Sequence, residues 1–475
     1  MELRINKHTI LNIVVFVIFG FLTFFVGLHH EPWADEAQAW LIARDCTIPD
    51  MILHVLKYEG HPILWFAILR ILNFVHYPYK LFFLLPWIAS CIGVYLLVFK
   101  SRLPDIIKYS FPFTYFIFYQ SAVIARNHSL LFPMFTGIAI LYKDRLKHPY
   151  WYSLLLILTA SVSAYSFVIA FVFLAFFVID IFQAKKYSIK AFIPHIIIFT
   201  YMLFTALYLI KPADYAFYPD LNIMRLNPLR ILYLTTRGYF NTPHLSLMLL
   251  VKMLTVLALY IYSAKAFCKS KKQVIFFTTI NLTLAIAITS LVCKPWHVAY
   301  FIITLISTCA ILADANPQNK YDFSSNKIFY IIISLIFATH IYWSYKCSLF
   351  DIHNNYSGAK SAAEFIKSNN LETKNIKGFG YKITAIQPYF DKNLYSNYNN
   401  NSAYWVWSKP FYQAQQQQKD LINTPVIILD TKNCKNFINI INDLQKSHNS
   451  YFFNGYIYTK GHPDEEENFV ILVKK

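Results

Sequence analysis

Two adjacent carboxylates, Asp35 and Glu36, stand in the stretch EPWADEAQAW, at the first polar break in an apolar N-terminal region. A carboxylate at the lip of a lipid-accessible cavity can take a proton from a hydroxyl or amine that attacks a membrane-bound donor, provided hydrogen-bond geometry brings it within reach. The same pair also suits a plainer role, because acidic side chains in the first turn of a helix complement its macrodipole. Residue types alone leave both readings open.

If the donor is a phosphate ester, cations must meet it, since charge developing on a leaving phosphate is stabilised by fixed positive groups. Arg126 interrupts apolar sequence in QSAVIARNHSLLF, where a guanidinium without a partner is expensive. It either grips an anion or snorkels to lipid headgroups. Lys294 and His297 form a compact basic turn in CKPWHVAY, which also reads as an ordinary loop with an interfacial Trp296. Arg225, Arg230 and Arg237 fit an anionic ligand and lipid headgroups equally well. His29, His30 and Glu31 beside Asp35 are types that bind divalent ions. Adjacent histidines do not share one helix face, so no metal is assigned and a divalent ion stays open.

Downstream of the acidic pair, Glu59, Gly60, His61 and Pro62 lead into Ile63, Leu64, Trp65 and Phe66. An Asp-Glu pair after the first apolar helix, followed by a basic-Pro turn into an aromatic helix, resembles the first extracytoplasmic loop of the GT-C superfamily. These are polyprenyl-phosphate-dependent glycosyltransferases and include protein O-mannosyltransferases and lipid A aminoarabinose transferases. The resemblance covers the first third of the chain by motif and the rest by architecture. It implies a polyprenyl-phosphate-linked sugar donor, a glycan, lipid or protein acceptor, and Asp35 as catalytic base with Glu36 beside it. His61 stands where relatives often carry Lys. Arg126, with His61 or with Lys294 and His297, would hold the carrier phosphate. Oligosaccharyl relatives use a metal, so the resemblance also leaves a divalent ion open.

The elements that must position these residues are membrane helices. The chain has 475 residues, 56% hydrophobic and 14% charged, against roughly 25% charged in ordinary soluble domains. Apolar runs of about 20 residues, enough to cross the hydrocarbon, fall near 10–28, 81–99, 151–182 (too long for one straight span), 191–210, 247–267, 274–293, 298–314 and 328–346. Shorter runs at 63–76, 106–120 and 128–142 bring the expectation to roughly nine to twelve membrane helices. The first run reads as an uncleaved helix, since His29, His30 and Glu31 follow it rather than a small-residue cleavage site. After Pro32, the stripe Trp33, Ala37, Trp40 and Leu41 predicts a helix lying on the membrane surface with both indoles at headgroup level.

The net charge of +18 is concentrated in short clusters beside apolar runs. That is a positive-inside pattern rather than a nucleic-acid surface. It places the N-terminus, 100–108, 143–150, 183–190 and 265–273 in the cytoplasm, and 29–62, 211–246 and 294–297 outside, with 63–80 unassigned. The expected organisation is a membrane domain over 1–348 and a small soluble α/β domain over 349–475. An odd number of spans puts that domain outside. Its signals are the strand-like runs PVIILD, YFFNGYIY and NFVILVKK and a Ser357-capped helix in AKSAAEFIKS. The chain is thus expected in a bacterial-type inner or plasma membrane, with an extracytoplasmic site and membrane lipids around it. Seven scattered cysteines form no metal or disulfide pattern, and nucleotide-binding signatures are missing. The rival reading is a polytopic transporter or lipid flippase. Against it stand the lack of an internal repeat and the clustering of acids in one loop. A non-catalytic scaffold on the same architecture is a third.

Overall fold

The computed structural model describes residues 7–185, 188–216, 226–240, 247–291, 294–318, 326–398, 403–416, 424–430, 451–457 and 467–474. Among these, eight helices are long and apolar enough to cross a membrane: Lys7–His29 (α1), Tyr79–Lys100, Ala164–Gln183, Ile189–Tyr208, Met248–Phe267, Lys271–Ser290, Trp296–Ala315 and Lys327–His353. The chain is a polytopic helical membrane protein. α1 shows how sequence makes such an element. Val15, Phe19, Thr23 and Val26 are buried at helical spacing, while Val17, Phe21 and Leu28 remain more than half exposed. A face that apolar is stable only against lipid. Trp296–Ala315 lies at the centre, buried on every side from Ala299 to Ala313.

Eight is the number of described helices long enough for a straight span, and the shorter expected runs form shorter or broken pieces between them. The run 106–120 breaks into Asp105–Ser110, a 3-10 turn at Phe111–Phe113 and a π-helical stretch at Phe116–Ser121. Pro112 removes one backbone donor there. The π-helical residues are all buried, and irregular backbone at membrane depth is tolerated when protein shields it. The long run 151–182 divides into Pro149–Ala160 and Ala164–Gln183. Ser161 turns its hydroxyl back to the Ile157 carbonyl at 2.6 Å, and Ser163 caps the second helix by accepting the Ser166 N–H.

Beyond the last span, four strands form one sheet in the order β1-β2-β4-β3. They are β1 (Ile376–Phe379), β2 (Val426–Asp430), β3 (Tyr451–Ile457) and β4 (Phe469–Lys474). β1 runs parallel to β2, while β4 is antiparallel to both β2 and β3. The three strand-like runs become β2, β3 and β4, and β1 was not foreseen. The Ala359–Ser368 helix starts where Ser357 Oγ accepts the Ala359 N–H at 3.2 Å. The membrane helix Lys327–His353 continues without a break past the expected boundary after 348.

The helix carrying the acidic pair, α2 (Ala34–Asp45), does not lie on a membrane surface. Trp33 and Trp40 are 4% and 3% exposed, enclosed by protein rather than headgroups. α2 packs between the Leu64–Phe74 helix and the 3-10 segment Lys382–Tyr389 of the sheet domain. Ala34 and Ala37 belong to a core with Ile366, Ile383 and Ile471, while Trp33, Trp40 and Ile42 belong to the membrane-domain core. Small residues on one face and indoles on the other let this helix stitch two cores together.

Candidate functional site

The chain passes from α1 into α2 through a tight turn, and Glu36 organises it. Its carboxylate accepts the Trp33 N–H at 3.1 Å, closing the N-terminal cap, and the Ala125 N–H at 2.6 Å. The second bond satisfies a donor released where the buried helix before Arg126 breaks. Glu36 also meets His30 Nε2 at 3.0 Å, and His30 Nδ1 meets Asp351 Oδ2 at 3.0 Å. Tyr119 donates to the same Asp351 oxygen at 2.8 Å. Burial pulls the His30 pKa down, but the Glu36 and Asp351 carboxylates override it and raise it to about 10. This is an imidazolium locked between two carboxylates. Glu36 is fully buried and does not line the cavity that holds Asp35, so the expectation that it acts beside Asp35 at the reacting groups is corrected. It shapes the backbone on which Arg126 stands.

Asp35, one residue earlier, faces the other way. Tyr381 donates its hydroxyl to Asp35 Oδ1 at 2.7 Å, and the Arg126 guanidinium forms an ion pair with Oδ2. That guanidinium lies 4.7 Å from the Trp296 ring centroid and 5.5 Å from that of Trp33, an arrangement that holds a cation by its attraction to aromatic faces. Asp35 and Arg126 line one cavity of about 80 Å³ with Gln38, Glu59, His61 and Asn127. Its aromatic wall is Trp65, Phe66, Tyr215, Tyr381 and Trp407.

His61 reaches this cavity, but not as a cation. Burial, with Arg126 nearby, lowers its pKa to about 4, so it is neutral at ordinary pH and offers a hydrogen bond rather than a charge. Its Nδ1 lies 3.3 Å from Asn127 Nδ2, and Asn127 ties the Arg126 loop to the Val162 carbonyl at 2.8 Å. Lys294 and His297 do not line the cavity. The Lys294 N–H donates to His297 Nδ1 at 3.1 Å, and the His297 ring packs 4.8 Å from Tyr165. Trp296 of the same turn is the residue that touches Arg126. Arg230 and Arg237 sit on the Pro228–Arg237 helix away from the cavity, and Arg225 lies outside the described residues. His29, His30 and Glu31 do not converge. The His29 ring bonds the Phe25 carbonyl at 2.8 Å, and both His30 nitrogens face carboxylates.

No family model, curated protein or solved structure matches this chain.

The cavity residues missed by sequence reasoning include Tyr381 and Trp407 of the sheet domain, Tyr215 and Glu59. Gln38 binds the Trp405 backbone at both ends, donating to its carbonyl at 2.6 Å and accepting its N–H at 2.9 Å. The segment just after Trp405 is fastened to residues 214–216: the Ala216 N–H donates to the Trp407 carbonyl at 3.1 Å, and the Lys409 N–H to the Asp214 carbonyl at 2.7 Å. Tyr58 donates to Asp214 at 2.8 Å and stacks on Tyr215. These bonds bring Tyr215, Tyr381 and Trp407 over the cavity. The signal available in the sequence was the aromatic run AYWVWSKPFY, which has no spacing that would assign it to a site hundreds of residues away.

Proposed function

We propose that this cavity belongs to a GT-C-type membrane glycosyltransferase, which moves a sugar from a polyprenyl-phosphate carrier to an extracytoplasmic glycan, lipid or protein acceptor. The observation that carries the reading is the meeting of Asp35 and Arg126 in one polar, aromatic-walled cavity where the membrane helices adjoin the sheet domain. An arginine fork suits two phosphate oxygens. The carrier phosphate takes the guanidinium in place of Asp35, and the indoles of Trp33 and Trp296 keep that cation in position. The acceptor oxygen then bonds the anomeric carbon as the carbon–oxygen bond to phosphate breaks. The electron pair leaves with the phosphate, whose charge Arg126 stabilises. The freed Asp35 carboxylate and the neutral His61 ring face the acceptor side of the cavity, and the flat rings of Tyr215 and Trp407 offer surfaces on which a sugar can stack.

The side of the membrane is supported by charge. Arg102 and Lys143 pair with Asp314 at 3.2 Å and 3.1 Å, and Arg145 pairs with Asp180 at 2.6 Å. Asp314 lies at the far end of the helix whose start carries Trp296, so the basic end of the bundle is opposite the cavity. A basic end faces the cytoplasm.

The test is calorimetric binding of farnesyl phosphate to the full chain in nanodiscs. Wild type is expected to bind, and Arg126→Gln to lose binding. A wild type that ignores the lipid phosphate while moving a solute across vesicles in its absence would point to a transporter instead.

A further inference from the structure

The cavity contains a second carboxylate in a different setting from the first. Both oxygens of Asp35 are engaged, one by a cation and one by the Tyr381 phenol. Glu59 is held by neutral donors: the Gln38 amide at 2.8 Å and the indole N–H of Trp407. It stands at the end of a short helical turn, Leu56–Glu59, that closes on Gly60 in the left-handed conformation (φ 68°). Glycine adopts that backbone at little cost, and the reversal there aims Glu59 and His61 into the same space. The groups facing Glu59 are Asp35 and Gln38 from α2, Arg126 and His61 from the membrane side, and Tyr381 and Trp407 from the sheet domain. On its own turn, Tyr58 is committed to Asp214.

We infer that Glu59 is the proton acceptor of the transfer step, and that Asp35 instead holds Arg126 in register until the donor phosphate arrives. This rests on the sugar-transfer reading above and assigns roles within it. The acceptor hydroxyl lies against Glu59 Oε. Its proton passes to that carboxylate as its oxygen bonds the anomeric carbon, and the carbon–oxygen bond to phosphate breaks with its electrons going to the phosphate on Arg126. Glu59 ends as a carboxylic acid, and the released carrier phosphate carries the charge that Glu59 gave up. Gln38 and Trp407 orient the carboxylate without neutralising it, which a cation partner would do.

Chemistry supports the assignment. Burial pushes the Glu59 pKa up to about 7, with Asp35 adding to the rise and Gln38, Arg126 and Trp407 opposing it. A base works best when its pKa lies close to the working pH. Two carboxylates whose surroundings separate their tasks are a recurrent way to divide work in one site.

The experiment measures cleavage of farnesyl-phosphate-linked hexoses and pentoses, with water or added sugars as acceptor, by the full chain in nanodiscs between pH 5 and about 9, a window that brackets this titration. Farnesyl phosphate binding is measured in parallel. Wild-type kcat/KM is expected to rise with pH around a midpoint near 7. Glu59→Gln is expected to lose about a hundredfold or more and to flatten the profile while binding farnesyl phosphate as wild type does. Glu59→Asp is expected to keep a displaced limb. A Glu59→Gln protein that retains the limb, or that loses lipid-phosphate binding together with activity, overturns the assignment alone. A wild type that binds no farnesyl phosphate, or cleaves none of the donors, overturns the sugar-transfer reading, and the role of Glu59 falls with it.

Discussion

Asp35 and Glu36 are the same chemistry one residue apart, yet the two regions they face differ in almost every respect. A helix turns about 100° per residue, so Glu36 points into the junction of α1, the Arg126 loop and the last membrane helix, and Asp35 points into the cavity. Glu36 is fully buried, with four polar contacts converging on it and on His30. Asp35 is partly exposed and held by a cation and a phenol that a ligand can displace. The buried neighbour sets the geometry and the accessible one lines the cavity. An acidic pair in sequence therefore does not specify two catalytic groups. It specifies one group for each environment that the helix separates.

The comparison breaks most severely at the accessible pair. On the sugar-transfer reading, Arg126→Gln and Asp35→Asn are each expected to cut turnover by about a hundredfold or more. Arg126→Gln acts through lost lipid-phosphate binding, and Asp35→Asn through a misplaced guanidinium. Steady-state kinetics alongside calorimetry separates the two: a lowered kcat with intact binding in Arg126→Gln contradicts the phosphate role. Glu36→Gln is expected to act on folding, because it leaves the His30 imidazolium with one carboxylate fewer inside the protein. Breaking such a buried pair costs about 3–5 kcal/mol. Unfolding in detergent should show that loss, while the surviving folded fraction still binds farnesyl phosphate. Equal stability of Glu36→Gln and wild type would remove the distinction drawn here.

How much of this could be read from the sequence follows the same division. Membrane helices were legible because a run of about 20 apolar residues has few other uses, and the three later strands because PVIILD, YFFNGYIY and NFVILVKK combine β-branched and aromatic residues between polar breaks. Asp35 and Arg126 were legible as anomalies of charge near lipid. The partners were not. Tyr381 and Trp407 reach the cavity through tertiary packing, which no local period encodes. Trp33 and Trp40 at helical spacing look the same whether they face headgroups or a second domain. The break of 106–120 into short pieces depends on Pro112 and on neighbours that shield a π-helical stretch, and hydropathy reports neither. His61 was legible as a candidate to hold the phosphate, but its charge was not, because burial beside Arg126 is what makes it neutral.

A third acid sharpens the contrast. Glu467, from the sheet domain, accepts the Ala34 N–H at the start of α2 at 2.9 Å and the Ser357 hydroxyl at 2.6 Å. Burial raises its pKa from 4.5 to about 8. The folded state therefore holds a proton that the unfolded chain releases. The associated stability is fully present below about pH 4.5 and is lost as pH rises through about 8. Unfolding midpoints measured from pH 5 to 9 should fall across that range in wild type and fall less in Glu467→Gln. A wild-type profile that rises with pH there contradicts the sign.

The smallest expected effect lies under the arginine. Trp296 offers its ring to the Arg126 guanidinium at 4.7 Å, and such contacts contribute about 0.5–2 kcal/mol. Trp296→Leu keeps an apolar side chain in the turn but removes the aromatic face. It should weaken farnesyl phosphate binding by about tenfold, the equivalent of roughly 1.4 kcal/mol, while the Asp35 ion pair and the fold remain. Trp33 still covers Arg126 at 5.5 Å, so Trp33→Leu combined with Trp296→Leu should cost more than the two separate losses added together, because each ring limits what the guanidinium can do when the other is gone. Simple additivity in this cycle would mean that the indoles do not act jointly on the cation, and that the bond to Asp35 alone fixes where Arg126 points.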